Sequence, residues 1–299
     1  MFKTLSFILC LLVPAFISAS NPHEHKMVAR GAKLVKLAGG FGFTEGPIAD
    51  NTGNVYFTDQ PNNQILIWTI NHELLTFTQN SGRANGLYFD KQGNLLSCSD
   101  MENELWSFSP DKVHKVLISS FNEKRLNGPN DLWIHPDGSI YFTDPLYVRP
   151  YWTRNSESEQ NGEYVYYLSP DYKNLKPVCT DLVKPNGIIG TPDGKKLYVA
   201  DIGANKTYVY NILPDGSLHN KRVFAPIGSD GMTIDCKGNI YVTGDGVTIF
   251  NSKGKKIDHI EVEANWTANV CFGGKDMKTL FITASENLYS IEMKVKGVK

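Results

Sequence analysis

The sequence is poor in cysteine and has no closely spaced cysteine pair. Only 5 cysteines occur among 299 residues, and Cys10 lies in an N-terminal apolar stretch. A zinc finger or a CxxC redox motif is therefore excluded. Cys98 and Cys271 lie in apolar, strand-like runs, where cysteine behaves as a small hydrophobe, so we expect buried free thiols. Disulfide pairing among the four later cysteines is the alternative: Cys98, Cys179, Cys236 and Cys271.

No long apolar run follows the N-terminal region. The apolar stretch Leu5–Ile17 is preceded by the positive Lys3 and followed by the small residues Ser18-Ala19-Ser20. A positive residue, an apolar stretch and a cleavage site of small residues, in this order, are typical of a secretory signal peptide. Nothing later approaches the ~18 continuous apolar residues that a transmembrane helix requires. We therefore expect a signal peptide at residues 1–20, a single domain at residues 21–299 and an exported protein, periplasmic or secreted. An uncleaved N-terminal anchor is the alternative.

Neither sign of charge is in excess. Lysine and arginine total 30, and aspartate and glutamate total 31, so no overall field favours nucleic acid or an anionic membrane. We expect a small-molecule partner, with no nucleic acid and no membrane, and a monomer or weak homo-oligomer.

A sustained 3.6-residue apolar period is also missing, so helices should be few. Short β-branched and aromatic runs bounded by turn residues occur instead and predict β-strands. Six of these runs are equivalent second strands of a repeat: Val55–Asp59, Leu95–Cys98, Ile140–Asp144, Leu197–Asp201, Ile240–Thr243 and Leu280–Thr283.

One polar side chain stands ahead of each second strand, eight residues before a turn. The six positions are Glu45, Asn85, Asn130, Asn186, Asp230 and Asn269, at spacings of 40, 45, 56, 44 and 39 residues. A period of about 40–45 residues is typical of β-propeller blades. We predict an all-β, six-bladed propeller whose ring is closed by an N-terminal strand at Lys33–Leu37. The longest spacing contains an insertion at Pro145–Gly162, and the sequence leaves open which end of the ring it covers.

In a propeller, equivalent blade positions converge on one axis, so the six polar residues should form a ring. Glu45 and Asp230 would repel each other there unless a cation binds between them. Every candidate ligand supplies oxygen, which favours a hard cation, and calcium accepts such a set more readily than magnesium. We expect a divalent cation, preferably Ca²⁺ with Zn²⁺, Mg²⁺ or Mn²⁺ as alternatives.

A plain structural role is the alternative for these positions. Asn85-Gly86, Asn186-Gly187 and Asp230-Gly231 could be ordinary turns. The constant eight-residue offset argues against this, because generic turns need not keep register with the next strand. For Asn85 and Asn269, two roles stay open: a hydrogen bond that lines the channel, or a substrate contact.

Four sequence blocks carry a family resemblance. They are Phe43-Thr44-Glu45-Gly46-Pro47, Asn130-Asp131, Pro185-Asn186-Gly187 with Pro192-Asp193-Gly194-Lys195, and Asp230-Gly231-Met232-Thr233-Ile234-Asp235. Together they resemble the gluconolactonase and regucalcin (senescence marker protein) lactonases, from about Ala32 to Ile291. The resemblance implies a six-bladed fold and hydrolysis of sugar lactones such as gluconolactone. It also implies that Glu45, Asn130, Asn186 and Asp230 are metal ligands and that Asp230 is the catalytic base or nucleophile.

The sequence departs from the family at one point. Sugar-lactone members often have an arginine two residues before the third-blade asparagine, and Gly128 stands there. Arg125, Arg149 and Arg154 are the candidate substitutes. We expect Asn85, Asn130, Asn269 and the segment Tyr147–Trp152 to contact substrate. The alternative functions are a phosphotriesterase or other esterase on the same metal ring, and a non-catalytic ligand-binding propeller.

Overall fold

A computed structural model describes residues 25–298, so the predicted signal peptide lies outside the described residues. Within this range the regular structure is almost entirely β-strand, and the one helical element is a 3₁₀ turn at Asp100–Glu102. No helix among these residues is long and apolar enough to cross a membrane. The prediction of few helices is confirmed.

Twenty-four of the strands form six four-stranded antiparallel sheets, the six predicted blades. Strand β1 (Val35–Gly39) precedes them in the chain. The strands of the first two blades, from the axis outward, are β2 (Thr44–Ala49), β3 (Val55–Asp59), β4 (Gln64–Trp68) and β5 (Leu74–Thr78), then β6 (Ala84–Phe89), β7 (Leu95–Ser99), β8 (Glu104–Phe108) and β9 (His114–Ile118).

A small hairpin precedes the third blade. It consists of β10 (Ser120–Phe121) and β11 (Lys124–Arg125). The third and fourth blades contain β12 (Leu132–Ile134), β13 (Ile140–Asp144), β14 (Tyr164–Leu168) and β15 (Leu175–Cys179), then β16 (Pro185–Gly190), β17 (Lys196–Asp201), β18 (Lys206–Ile212) and β19 (Leu218–Ala225).

The last blade closes the ring with the first strand of the chain. The fifth and sixth blades contain β20 (Met232–Ile234), β21 (Ile240–Gly244), β22 (Gly246–Phe250) and β23 (Lys256–Ile260), then β24 (Thr267–Gly273), β25 (Thr279–Ala284) and β26 (Asn287–Glu292). Strand β1 is the outer strand of the sixth blade and pairs antiparallel with β26, from Val35 opposite Ser290 to Gly39 opposite Asn287. The closing strand is therefore confirmed, two residues later than predicted. Closure by an early strand leaves no open gap between the first and last blades.

The first strands of neighbouring blades contact one another in cyclic order, so they surround the axis. The second strands, rich in aromatic and β-branched residues, fill the space between sheets. Tyr141 and Tyr241 are fully buried, and their hydroxyls donate to the Gly216 carbonyl at 2.9 Å and to Asp235 Oδ2 at 3.1 Å. A buried tyrosine needs such an acceptor because an unsatisfied hydroxyl would destabilise the core.

The four cysteines after residue 24 are all free thiols. Cys98, Cys179 and Cys271 are buried, as expected of small hydrophobes, whereas Cys236 is exposed. The expectation of free thiols holds, and the expectation of burial is wrong for Cys236, which lies in the turn between β20 and β21.

Candidate functional site

The six repeat residues all lie at one end of the axis, at the start of the first strand of each blade. Glu45, Asn85 and Asn186 are the second residues of β2, β6 and β16, and Asn269 is the third residue of β24. Asn130 and Asp230 lie two residues before β12 and β20. Five of the six are buried, and Asp230 is partly exposed. The prediction that the repeat gathers them at the channel mouth is therefore correct.

Two pairs of ring members interact. Asn269 Nδ2 donates to Glu45 Oε2 at 3.2 Å, and the amide group of Asn186 lies close enough to the Asp230 carboxylate to lower its pKa. The Asn269 side chain also lowers the pKa of Asp131, so it lies near two carboxylates. Its Oδ1 accepts the backbone N–H of Val270 at 2.8 Å. Of the two roles left open for Asn269, these contacts support the channel-lining one.

Asn85 and Asn130 are in the ring without such links. Asn85 Oδ1 is buried and has no hydrogen-bond partner among the described residues. The Asn130 backbone is fixed, because its carbonyl accepts Gly86 N–H at 2.8 Å and its N–H donates to the Thr143 carbonyl at 2.9 Å. Both amides are therefore positioned by the backbone and retain capacity to bind a ligand.

The two ring carboxylates are held in an unfavourable environment. Burial raises the pKa of Glu45 well above its ordinary value, and the negative charge of Asp230 raises it further, while the Gly46 N–H at 2.9 Å acts in the opposite direction. Burial also raises the pKa of Asp230, and the indole N–H of Trp266, 2.5 Å from Asp230 Oδ2, partly offsets this. Two carboxylates this close to each other and to the core favour binding of a cation between them.

Glycines that follow four ring residues allow the blades to approach closely at the axis. A Cβ at Gly46 would lie 2.1 Å from the Asn85 carbonyl oxygen, and one at Gly86 would lie 2.5 Å from Asp131 Oδ1. Gly187 and Gly231 contact Asp230 and Asn269 in the same way. These glycines lie in or beside the first strands rather than in hairpin turns, so the alternative reading of Asn-Gly as ordinary turns is wrong.

The donor set fits a hard cation. The ring offers carboxylate oxygens from Glu45 and Asp230 and amide oxygens from the asparagines, and Asn186 Oδ1 is buried without a partner among the described residues. An unpartnered buried carbonyl oxygen is costly unless a ligand satisfies it. Among residues 25–298 no three His, Cys, Asp or Glu side chains cluster as a metal site. A cation in the ring would therefore depend on amide oxygens, which suit calcium better than zinc.

The insertion covers the same end of the ring. Tyr147 accepts a hydrogen bond from Asn186 Nδ2 at its hydroxyl oxygen, at 3.0 Å. Trp152 Nε1 donates to Asp100 Oδ2 at 3.2 Å, next to the mouth on the second blade. Within the segment Tyr147–Trp152, Tyr147 thus contacts the ring of repeat residues, whereas Trp152 anchors the insertion to the second blade.

The three candidate arginines occupy different places. Arg125 is at the base of the insertion, with NH2 3.4 Å from Glu159 Oε1. Arg154 lies beside Gly128, where an added Cβ would be 3.2 Å from its NH2 and 2.5 Å from Asp100 Oδ1. The space next to residue 128 is therefore filled by Arg154 and Asp100. Arg149 alone lies close enough to the ring to lower the pKa of Asp230.

Two site residues were missed by the sequence reasoning. Asp131 is buried below the ring, and burial raises its pKa to about 7 although Leu132 N–H donates to it at 2.9 Å. Trp266 holds Asp230 through its indole N–H. The sequence pair Asn130-Asp131 could have indicated Asp131, because this residue directly follows a repeat position. Trp266 has no counterpart at the equivalent position of the other repeats, so the period gives no indication of it.

The channel narrows below the ring. A cavity of about 40 Å³ beneath it is lined by Gly46, Asp131 and Asn269, among others. A wider cavity of about 400 Å³ lies at the opposite end of the axis, where Phe272, Met277 and Val298 contribute to its wall. A ligand the size of a sugar therefore cannot reach the ring from that opposite end.

Comparison with known proteins gives consistent matches over most of the chain. Residues 43–286 match the family model described as the SMP-30/Gluconolactonase/LRE-like region. The chain is 28% identical to a gluconolactonase of Zymomonas mobilis, over 94% of this chain and 87% of that protein. A solved structure described as a candidate gluconolactonase has a TM-score of 0.86 and 33% identity, covering 91% of this chain and 96% of its own. A gluconolactonase from Xanthomonas campestris has a TM-score of 0.83 and 27% identity, covering 89% and 91%.

Proposed function

Because the chain belongs to the SMP-30/gluconolactonase/LRE-like family, we propose that it is a hydrolase that opens sugar lactones such as gluconolactone at the mouth of its central channel. The observation that carries the proposal is the ring itself: two carboxylates and unpartnered amide oxygens gathered at one end of the channel. The chain also matches relatives named as gluconolactonase and lactonase, which supports a catalytic rather than a purely structural role for the ring.

We propose that Glu45, Asn130, Asn186 and Asp230 hold a divalent cation, with calcium preferred. When bound, the cation would supply Lewis-acid polarisation of the lactone carbonyl. The carboxylates of Glu45 and Asp230 must be ionised to bind it, which costs free energy because burial favours their protonated forms. Asn269 assists by donating to Glu45, so that Glu45 Oε2 keeps a fixed orientation.

Asp230 is proposed as the catalytic residue, either as the base that takes a proton from the attacking water or as the nucleophile. Its partial exposure leaves it accessible from the mouth, and the Trp266 N–H fixes the position of one of its oxygens. A carboxylate restrained in this way is a modest base. Such a base is better suited to opening an intrinsically labile lactone than to cleaving an amide.

Asn85, Asn130 and Asn269 are proposed substrate contacts. Asn85 has the clearest capacity, because its Oδ1 is buried without a partner among the described residues and can accept a substrate hydroxyl. Asn269 has less, since both ends of its amide are already engaged. Tyr147 closes the mouth above Asn186 and excludes water from that side. We also propose that the protein is exported, on the pattern of residues 1–20, and that it acts as a monomer or weak homo-oligomer.

The Asp230→Asn variant tests this assignment. We expect kcat for gluconolactone to fall by about 10²–10⁴-fold, as loss of a general base or nucleophile does, while the thermal unfolding midpoint stays close to that of the wild type. Asp245→Asn is the matched control, because Asp245 is an exposed aspartate in the turn between β21 and β22. Full activity in folded Asp230→Asn would refute the role of Asp230. Wild-type protein that turns over phosphotriesters but no lactone would refute the proposed reaction.

A further inference from the structure

The guanidinium of Arg149 lies at the channel mouth and makes no hydrogen bond to any described residue. Its Nε is buried and unpartnered, and its nearest carboxylate atom, Asp100 Oδ2, is 3.9 Å away, beyond hydrogen-bond distance. A guanidinium carries five N–H donors, and burying one of them without an acceptor costs free energy. The insertion therefore presents a donor group whose acceptor is missing from the protein.

The Asp100 oxygen nearest to Arg149 is already engaged by other donors. Its Oδ2 already accepts Gln60 Nε2 and Trp152 Nε1, both at 3.2 Å. These two bonds join the first and second blades to the insertion, so Asp100 is held away from Arg149.

The other cations around the mouth each donate at least one side-chain hydrogen bond, although Arg154 Nε is also buried without a partner among the described residues. Arg154 donates to the carbonyl oxygens of Asn127, at 2.7 Å, and Asp100, at 3.3 Å. Arg83 donates to the Pro61 carbonyl. Lys184 donates to the Leu146 carbonyl at 3.1 Å and lies 3.5 Å from Glu163 Oε1. Arg149 differs from these three because its side chain donates no hydrogen bond to any described residue.

Arg149 also faces the ring. Its guanidinium lies over the Tyr147 ring, 5.0 Å from the centroid, and Tyr147 in turn contacts Asn186 through its hydroxyl. Lys184 Nζ lies over the same aromatic ring at 4.7 Å. The two positive charges beside this one aromatic ring repel each other, and an anion bound next to both of them would relieve the repulsion.

We propose that Arg149 is a specificity residue that binds a terminal oxyanion of the substrate, so that the enzyme prefers lactones bearing a carboxylate or phosphate at the end remote from the lactone carbonyl. The inference rests on the proposed lactonase function. A planar guanidinium binds a carboxylate or phosphate through two parallel hydrogen bonds, which a neutral hydroxyl cannot provide. Arg149 comes from the insertion, above the ring, so it would hold the end of the substrate that points out of the channel.

A matched pair of substrates tests the proposal. The γ-lactones of gluconic and glucaric acid differ only at the terminal carbon, which is a primary alcohol in the first and a carboxylate in the second. For the wild type we expect kcat/KM to be at least about tenfold higher for the glucaric lactone, mainly through a lower KM. In Arg149→Gln this ratio should fall by at least about tenfold, and in Arg149→Lys by less, because lysine keeps the charge but not the planar fork.

The control and the contrary outcomes are distinct. Arg222→Gln removes the same charge from the exposed outer strand β19 and should leave the ratio unchanged. The δ-lactone of gluconate 6-phosphate, measured in parallel, distinguishes a phosphate from a carboxylate as the bound group. If Arg149→Gln lowers turnover of charged and neutral lactones equally, or the wild type prefers neutral ones, the specificity role is wrong. If the wild type opens no lactone at all, the proposed function itself fails.

Discussion

At the scale of single residues, the main conflict in the molecule is the burial of carboxylates whose charge nearby cations offset only in part. Burial raises the pKa of Asp131 and of Asp144 to about 7, and that of Asp100 to about 6. Asp144 accepts N–H groups from Gly128 and Asn127 at 2.8 and 3.0 Å, which only partly offsets its burial. Together with Glu45 and Asp230, these groups make ionisation around the axis costly, as is typical of functional sites.

Stability of the cation-free protein should therefore fall as pH rises. An unfolded aspartate titrates near 3.9, so between about pH 4 and pH 7 the folded state binds more protons than the unfolded state, and its free energy of unfolding decreases with pH. Burial lowers the pKa of the half-buried His259, and this one group makes the free energy of unfolding rise with pH instead. In a chelator we expect a lower thermal midpoint at pH 8 than at pH 5.

The Asp131→Asn variant tests whether ionisation of Asp131 contributes to this loss of stability with rising pH. Asparagine keeps an acceptor for the Leu132 N–H and removes the ionisation, so the decline of the midpoint between pH 5 and pH 8 should be smaller. Asp137→Asn is the control, because hydrogen bonds from Ser139 lower the pKa of Asp137 and its contribution lies below pH 4. A midpoint that rises from pH 5 to pH 8 in chelator would contradict the account.

At the scale of elements, the ring depends on how closely the first strands approach. Gly86→Ala would place a Cβ 2.5 Å from Asp131 Oδ1 and 2.8 Å from the Asn130 carbonyl oxygen. We expect a loss of about 1–3 kcal/mol of unfolding free energy from this overpacking, with a loss of activity because Asn130 moves.

Urea unfolding and kcat/KM, measured on the same preparations, check this prediction. Gly93→Ala is the comparison, since Gly93 has φ +82° and open space around it. Its strain comes from the backbone alone and should lower stability without changing activity. Wild-type activity and stability in Gly86→Ala would mean that the close approach has no part in building the site.

The sequence repeat made the strands predictable, whereas the insertion that interrupts the repeat could not be predicted in the same way. Second strands such as Val55–Asp59 and Ile140–Asp144 were bounded correctly because their pattern is local. The ring followed from equivalent positions on one axis. The conformation of the insertion depends instead on contacts such as Trp152 with Asp100, 52 residues apart in sequence. No sequence period links those residues. The sequence could therefore name Arg149 as a candidate but could not predict its position relative to the ring.

At the scale of the whole molecule, closure joins six similar sheets into one ring. The pairing of β1 with β26 joins the start of the described chain to its last blade. Next to this seam, Asn269 of the sixth blade donates to Glu45 of the first. The seam thus fixes the relative positions of residues that are 224 apart in sequence. A ring closed in this way can hold opposed carboxylates in place at the axis.

The central claim is that this ring binds a divalent cation on which lactone hydrolysis depends. The most direct test is calorimetric titration of Ca²⁺ into chelator-stripped protein, with gluconolactone hydrolysis followed at each addition. We predict saturation at the ring in step with recovery of turnover, and weaker binding with little recovery in Glu45→Gln. Full hydrolysis by the stripped protein, unchanged by added Ca²⁺, Mg²⁺, Mn²⁺ or Zn²⁺, would contradict the claim.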